Sequence, residues 1–113
     1  MCFNATDLWR FLSYGGLPSI FFSDDPSADL QAYLDQYLDH EIAVEAQVRN
    51  LPAFSRFMEI AGLASGQILN YTRISSDSEV KRTTVHEYYQ VLTQTLLGTE
   101  VAPWRAAKKT KLP

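Results

Sequence analysis

Apolar residues recur at spacings of three and four along most of this chain, a rhythm that predicts successive helices rather than strands. The first helix is predicted over 6–14, where Leu8, Phe11 and Leu12 share a face and Gly15-Gly16 offers a left-handed C-terminal cap. Leu17-Pro18 and the apolar trio Ile20, Phe21 and Phe22 then read as an extended connection. Asp25 before Pro26 marks a helix start, because its carboxylate can accept from the free backbone N–H groups of the first turn. That second helix is predicted over 26–46, with Leu30, Tyr33, Leu34, Tyr37, Leu38, Ile42 and Glu45 or Ala46 following the spacing of an apolar stripe. Asp29, Asp35, Asp39 and Glu41 lie off the stripe. A third helix is predicted over 50–64, turning Phe54, Phe57, Met58, Ala61 and Leu63 inward, and Ser65-Gly66 ends it.

The stretch from 70 to 97 is the most informative. Asn70 can cap a short helix over 71–77, and Ser78-Glu79-Val80 makes a tight connection into a helix over 81–97. Val85, Tyr88 or Tyr89, Leu92 and Leu96 share one face of the latter, and Gly98 ends it. The pattern meets the needs of a helix-turn-helix. Ser75 and Ser76 are small where two helices must touch, Val80 pins the crossing, and the second helix buries a stripe from Val85 onward. Glu79 occupies a position that often holds glycine, at a cost of about 1 kcal/mol for a left-handed backbone. Thr83 and Thr84 suit capping or a surface contact. An ordinary helical hairpin is the alternative. Residues 99–104 read as a strand or wing, and 105–113 as a loose basic tail. The fold class is therefore mainly α, a helical bundle whose C-terminal half is a helix-turn-helix of winged-helix type.

Composition narrows the functions. The 113 residues carry a net charge of −3, and 46% are hydrophobic, enough for a core. The charge is uneven. Asp24, Asp25, Asp29, Asp35, Asp39, Glu41, Glu45 and Glu59 face only Arg49 and Arg56 over 24–59, whereas Arg105, Lys108, Lys109 and Lys111 close the chain with no acid. On the helix-turn-helix itself Arg73, Lys81 and Arg82 are offset by Asp77, Glu79 and Glu87. Phosphate neutralisation supplies most non-specific DNA affinity, so this balance does not describe a dedicated polyanion binder. Arg82, Thr83, His86, Glu87 and Gln90 are the positions that could reach a base edge or a protein partner, with Arg105, Lys108 and Lys109 of the tail beside them.

Cys2 is the single cysteine, which excludes an intrachain disulfide and a multi-cysteine zinc site. No apolar run nears the roughly 18 residues of a membrane span, and no secretory signal pattern opens the chain. A cytoplasmic protein is expected. Asp39-His40-Glu41 is not a metal site, because three consecutive helical residues point in different directions. His86-Glu87 has no serine or cysteine partner at helical spacing, so a catalytic triad has no support.

Several stretches together are similar to one known family. They are Tyr14-Gly15-Gly16-Leu17-Pro18, Tyr33-Leu34-Asp35-Gln36-Tyr37-Leu38 with Glu41-Ile42, and Arg49-Asn50-Leu51-Pro52-Ala53-Phe54-Ser55-Arg56-Phe57. Gly66-Gln67-Ile68-Leu69-Asn70-Tyr71, Thr83-Thr84-Val85-His86-Glu87-Tyr88-Tyr89, Thr95-Leu96-Leu97-Gly98 and Pro103-Trp104-Arg105 follow in order. The chain resembles the central helical and winged-helix section of prokaryotic AAA+-superfamily ATPases that carry a C-terminal domain of unknown function. The first dozen residues depart from the family pattern.

The resemblance implies a fragment: 1–24 as the remnant of an ATPase helical lid and linker, 25–104 as a helical domain, and 105–113 as the basic tail. It implies ATP and magnesium for an intact parent, where Pro18 would pack on the adenine; a helix stop followed by an extended link explains the same residues from backbone needs alone. No Gly-x-x-x-x-Gly-Lys-Ser/Thr loop occurs here, and no strand ends in the acidic pair that would hold magnesium. The expected function is thus a non-catalytic interaction or coupling module without a cofactor of its own, not an enzyme. The alternative is a stand-alone winged-helix DNA-binding protein. A protein partner or self-association is expected, the latter through apolar patches at 8–9, 20–22 and 101–104; DNA is the alternative partner, and no membrane is involved.

Overall fold

The computed structural model describes residues 4–45 and 48–105. They form helices α1 (Ala5–Tyr14), α2 (Pro18–Phe21), α3 (Pro26–Gln36), α4 (Leu51–Leu63), α5 (Tyr71–Ser78) and α6 (Arg82–Gln94), and no strand is found among them. The chain divides into two compact units, Met1–Leu51 and Pro52–Pro113.

In the first unit, α1 opens with a reciprocal cap. The Asn4 side chain accepts from the Asp7 N–H at 2.9 Å, and the Asp7 carboxylate accepts from the Asn4 N–H at 3.2 Å. Gly15 ends the helix at φ +82°, ψ −172°, with its N–H donating to the Phe11 carbonyl at 2.8 Å. That conformation suits glycine, yet it is not the left-handed helical cap expected from the sequence. The shared face of Leu8, Phe11 and Leu12 is exposed, as is Trp9. Residues 18–21 correct the reading of this stretch as extended: Pro18 stands at the first turn of a one-turn helix, where its missing N–H costs nothing. Ile20 is consequently buried rather than part of an exposed patch, while Phe22 stays exposed. Arg10 ties the pieces together, its guanidinium donating to the carbonyls of Phe21, at 2.5 Å, and Ser23.

Asp25 caps α3 as expected, accepting from the Ala28 N–H at 3.2 Å. Beyond Gln36 the helix does not stay α-helical: Tyr37–Glu45 is a π-helix, with hydrogen bonds from i to i+5. Tyr37 and Ile42, five apart, are the buried pair of this segment, while Leu30, Leu34 and Leu38 are half-buried and Tyr33 is exposed. Ala46, the expected end of this helix, lies outside the described residues.

In the second unit Phe54 and Phe57 of α4 are fully buried. Their rings meet Tyr88 of α6 at 5.0 and 5.3 Å between centroids, and Phe57 meets Tyr89 edge-on at 4.9 Å. Met58 and Ala61 are half-buried, whereas Leu63, expected inward, is exposed. Asn70 caps α5, accepting from the Arg73 N–H at 3.1 Å. Ile74, Val80, Val85 and Leu92 are all buried, so the apolar seam of α5 and α6 is formed.

Both helices end in the same way. At the end of α5, Glu79 is left-handed (φ 55°, ψ 37°), its N–H donates to the Ser76 carbonyl, and the Val80 N–H donates to the Ser75 carbonyl at 3.2 Å. This is a Schellman motif with glutamate in glycine's usual place, closed by the buried Val80. Serines stitch the turn: the Ser75 hydroxyl donates to the Val80 carbonyl and the Ser78 hydroxyl to the Ile74 carbonyl, both at 2.5 Å. Arg56 of α4 adds a bond from Nε to the Ser78 carbonyl at 3.3 Å. Ser76, expected at the helix contact, is exposed.

The second Schellman motif shortens α6. The sequence suggests a helix to Leu97 ended by Gly98, but it stops at Gln94 with Leu96 left-handed at φ 61° and 92% exposed. The Leu96 N–H donates to the Thr93 carbonyl and the Leu97 N–H to the Leu92 carbonyl. The Thr95 hydroxyl also donates to the Val91 carbonyl at 2.8 Å, beside the Thr95 N–H that bonds the same carbonyl at 3.0 Å. Residues 99–104 are not a strand: no partner strand exists among the described residues, and Val101 and Trp104 are each 90% exposed.

Glu79→Gly is expected to stabilise the unit by about 0.5–1 kcal/mol, since the relief of left-handed strain exceeds glycine's entropic cost. Glu79→Val is expected to destabilise it, because a β-branched side chain is poorly tolerated at positive φ. Thermal melts of the two variants check the signs; a lower melting temperature for Glu79→Gly would contradict a left-handed turn at this position.

Candidate functional site

The seam of α6 that faces the core leaves the opposite face free, and the sequence-predicted contact residues fall there. Arg82, Thr83, His86, Glu87 and Gln90 are all exposed. Arg82, His86 and Gln90 follow a spacing of four and form one line along the helix. Lys81 is the residue before the helix and supplies no side-chain cap. Thr83 is exposed and Thr84 half-buried, and neither is the N-cap of α6, a position that Lys81 holds. On α5, Arg73 pairs with Asp77 at 3.6 Å, both exposed. Arg105 is exposed and separate in sequence; Lys108 and Lys109 lie outside the described residues. Pro18, an adenine contact by resemblance, is the exposed first residue of α2, a backbone role.

Sequence reasoning missed an aromatic and polar constellation that continues this line. Tyr71, the first residue of α5, stacks on His86 of α6 with ring centroids 3.9 Å apart and planes 23° apart. Tyr89 meets Tyr71 edge-on at 5.8 Å. The Tyr71 hydroxyl donates to Oε1 of Glu100 at 2.5 Å, anchoring the segment after α6 to the start of α5. Together with Gln90, Thr93, Gln94 and Thr99 these residues line an open cleft of about 570 Å³. The site thus joins the start of α5, the outer face of α6 and the segment that follows it; His86, Gln90 and Gln94 share a helical spacing of four, whereas Tyr71, Thr99 and Glu100 carry no such signal.

Burial first, and then the hydrogen bond and negative charge of Glu100, push the Tyr71 phenol up to about 12. Burial likewise raises Tyr88, with Glu87 adding to it and Arg56 opposing, and raises Tyr89, with Glu100 adding to it. These phenols stay protonated through the neutral range, and Tyr71 serves as a hydrogen-bond donor. The sign of the pH effect follows. Tyr71 is raised in the fold above its ordinary value of 10, so its contribution to stability is complete below pH 10 and is lost as pH climbs towards about 12. Tyr71→Phe is expected to make the fall of stability with pH shallower over that window. Urea melts at successive alkaline pH values check it, and an unchanged slope would contradict the Tyr71–Glu100 bond.

A family model described as Domain of unknown function (DUF8612) matches residues 5–112. The chain belongs to that family. Its description names no activity, substrate or partner, and makes no mention of AAA+-type ATPases. The chain matches no curated protein and no solved structure. The family extent takes in both compact units and the cleft residues alike. Among the described residues no group of three or more His, Cys, Asp or Glu side chains is placed to hold a metal, and no helix is long and apolar enough to cross a membrane.

Proposed function

We propose that this domain is a non-catalytic interaction module whose α5–α6 pair is a helix-turn-helix, and that the outer face of α6 meets a partner protein. The observation that carries the reading is the combination at α6: a buried seam of Ile74, Val80, Val85 and Leu92 behind, a left-handed turn at Glu79 before it, and exposed Arg82, Thr83, His86 and Gln90 in front. A helix held so firmly on one side presents the other as a rigid docking ridge. The resemblance to AAA+-type ATPases supplies the setting, in which such a module relays the nucleotide state of an ATP-binding neighbour to the partner. A protein is favoured over DNA because the exposed charges of α5, the turn and α6 balance, Arg73, Lys81 and Arg82 against Asp77, Glu79 and Glu87, and Arg73 is already paired to Asp77.

A photo-crosslinking residue placed at Thr83 or Gln90 in cells is expected to give a discrete protein adduct, absent when the probe is placed at the exposed Asp35. Duplex DNA is expected to show no retardation in gels at about 0.15 M salt. Retardation that falls steeply with salt and vanishes in Arg82→Ala would overturn the reading in favour of DNA, and the absence of any adduct from α6 would overturn it outright.

A further inference from the structure

We propose that the cleft between the Tyr71–His86 stack and Glu100 is a receptor for a guanidinium group, and that the partner of α6 inserts an arginine side chain there. The identity of the partner as a protein rests on the reading above; the chemistry of the cleft does not.

The cleft has two kinds of wall. One is aromatic: Tyr71 and the exposed His86 stack at 3.9 Å and both line the cleft, and Tyr89 stands edge-on beside Tyr71. The other is a row of oxygen acceptors along the outer line of α6 and the segment after it, from Gln90, Gln94 and the threonines to Glu100. Among the described residues, Glu100 is the only carboxylate lining it, and no Lys or Arg lines it. A carboxylate set among aromatic rings, with no Lys or Arg among the described residues that line the cleft, attracts a cation. Glu100 keeps acceptor capacity, since the Tyr71 hydroxyl bonds Oε1 and a carboxylate has about four lone-pair positions. The Tyr71 bond also fixes where that carboxylate stands, so a ligand does not have to order it.

Guanidinium suits these walls better than ammonium. It is planar and stacks on ring faces, and its five N–H donors in a fixed fork can use carboxylate and amide acceptors together. A lysine would satisfy the charge and leave the row of acceptors largely unused. The cleft is open and about 570 Å³, so it admits a side chain carried on a peptide without enclosing it. Binding of a single residue should therefore be weak, with a Kd of about 1 mM, and the rest of the affinity should come from the α6 ridge.

The test is an NMR titration of the isotope-labelled protein with N-acetyl-arginine methylamide, and in parallel with its citrulline counterpart, which has the same shape and no charge. Saturable shifts are expected at Tyr71, His86, Tyr89, Gln90 and Glu100, at least tenfold weaker for citrulline and at least tenfold weaker in Glu100→Gln. Glu100 is exposed, so that variant is expected to fold. Tyr71→Phe, which keeps the ring, should retain stacking and lose a few-fold in affinity. Equal response to arginine and citrulline, shifts that do not saturate, or shifts centred elsewhere would each overturn the guanidinium site. A partner adduct from Thr83 or Gln90 alongside such a failure would leave the interface reading standing, and the converse result would separate them in the other direction.

Discussion

Replacing Phe57 by alanine is expected to cost about 3–5 kcal/mol and to leave the second unit largely unfolded. Phe57 has no exposed surface and its ring is the hub of the aromatic cluster, meeting Phe54 at 5.8 Å, Tyr88 at 5.3 Å and Tyr89 at 4.9 Å. Removing it deletes its contacts to both Tyr88 and Tyr89 of α6 and opens a void that neighbouring rings, each held by the others, are poorly placed to fill. Domains of this size hold only about 5–15 kcal/mol in total, so a loss on that scale is a large fraction. Urea melts followed by circular dichroism measure it. Leu63→Ala, on the same helix but exposed, is the control and should change stability by no more than about 0.5 kcal/mol. A Phe57→Ala variant as stable as that control would show that α4 does not carry the core.

Val85→Asp is the second large effect. Val85 is fully buried on the face of α6 that closes the apolar seam with Ile74, Val80 and Leu92. An unpaired carboxylate there should cost about 3–5 kcal/mol. The penalty has a pH signature that a packing defect lacks. The introduced acid is raised in the fold above its ordinary range near 3.9. The destabilisation is therefore complete above its folded value and fades as pH falls through it, so the gap to the native protein should narrow in acid. Val85→Thr, close in shape and able to hydrogen-bond within the helix, should lose far less. Equal and pH-independent losses in the two variants, read from urea melts across the acid range, would contradict the burial of this position.

The elements were legible where one periodicity ruled. Val85, Tyr88 and Leu92 follow the spacing of three and four that a half-buried α-helix imposes, and all three are buried. Asp25 and Asn70 announce helix starts by chemistry alone, and both side chains accept the expected N–H. Three features were not legible, each for a physical reason. Pro18 to Phe21 looks extended because a single helical turn is too short for periodicity to show. The π-helix of Tyr37–Glu45 is invisible because Tyr37 and Ile42 fit an α-helical stripe almost as well as the i to i+5 pattern they adopt. The end of α6 at Gln94 depends on Leu96 accepting a left-handed backbone, a role that points to Gly98 when only residue type is considered.

The cleft was harder still. His86 and Gln90 stand out as an exposed helical line, but Tyr71 and Glu100 join them only through tertiary structure. Nothing in the spacing of a tyrosine and a glutamate 29 residues apart marks them as hydrogen-bonded. The expected wing at 99–104 was the misleading signal: β-branched residues suggested a strand, whereas Glu100 is held by a side chain of α5 and Val101 and Trp104 face solvent.

Turn, ridge and cleft all depend on the way α6 is rotated, with its apolar seam inward and its polar line outward. Methyl-resolved NMR with a soluble paramagnetic relaxation agent reads that directly. Methyl signals of Ile74, Val80, Val85 and Leu92 should resist broadening, while those of Thr83, Leu96 and Val101 should broaden strongly. Comparable broadening of both sets would mean that α5 and α6 do not share a buried seam, and the docking surface proposed for α6 would fall with it.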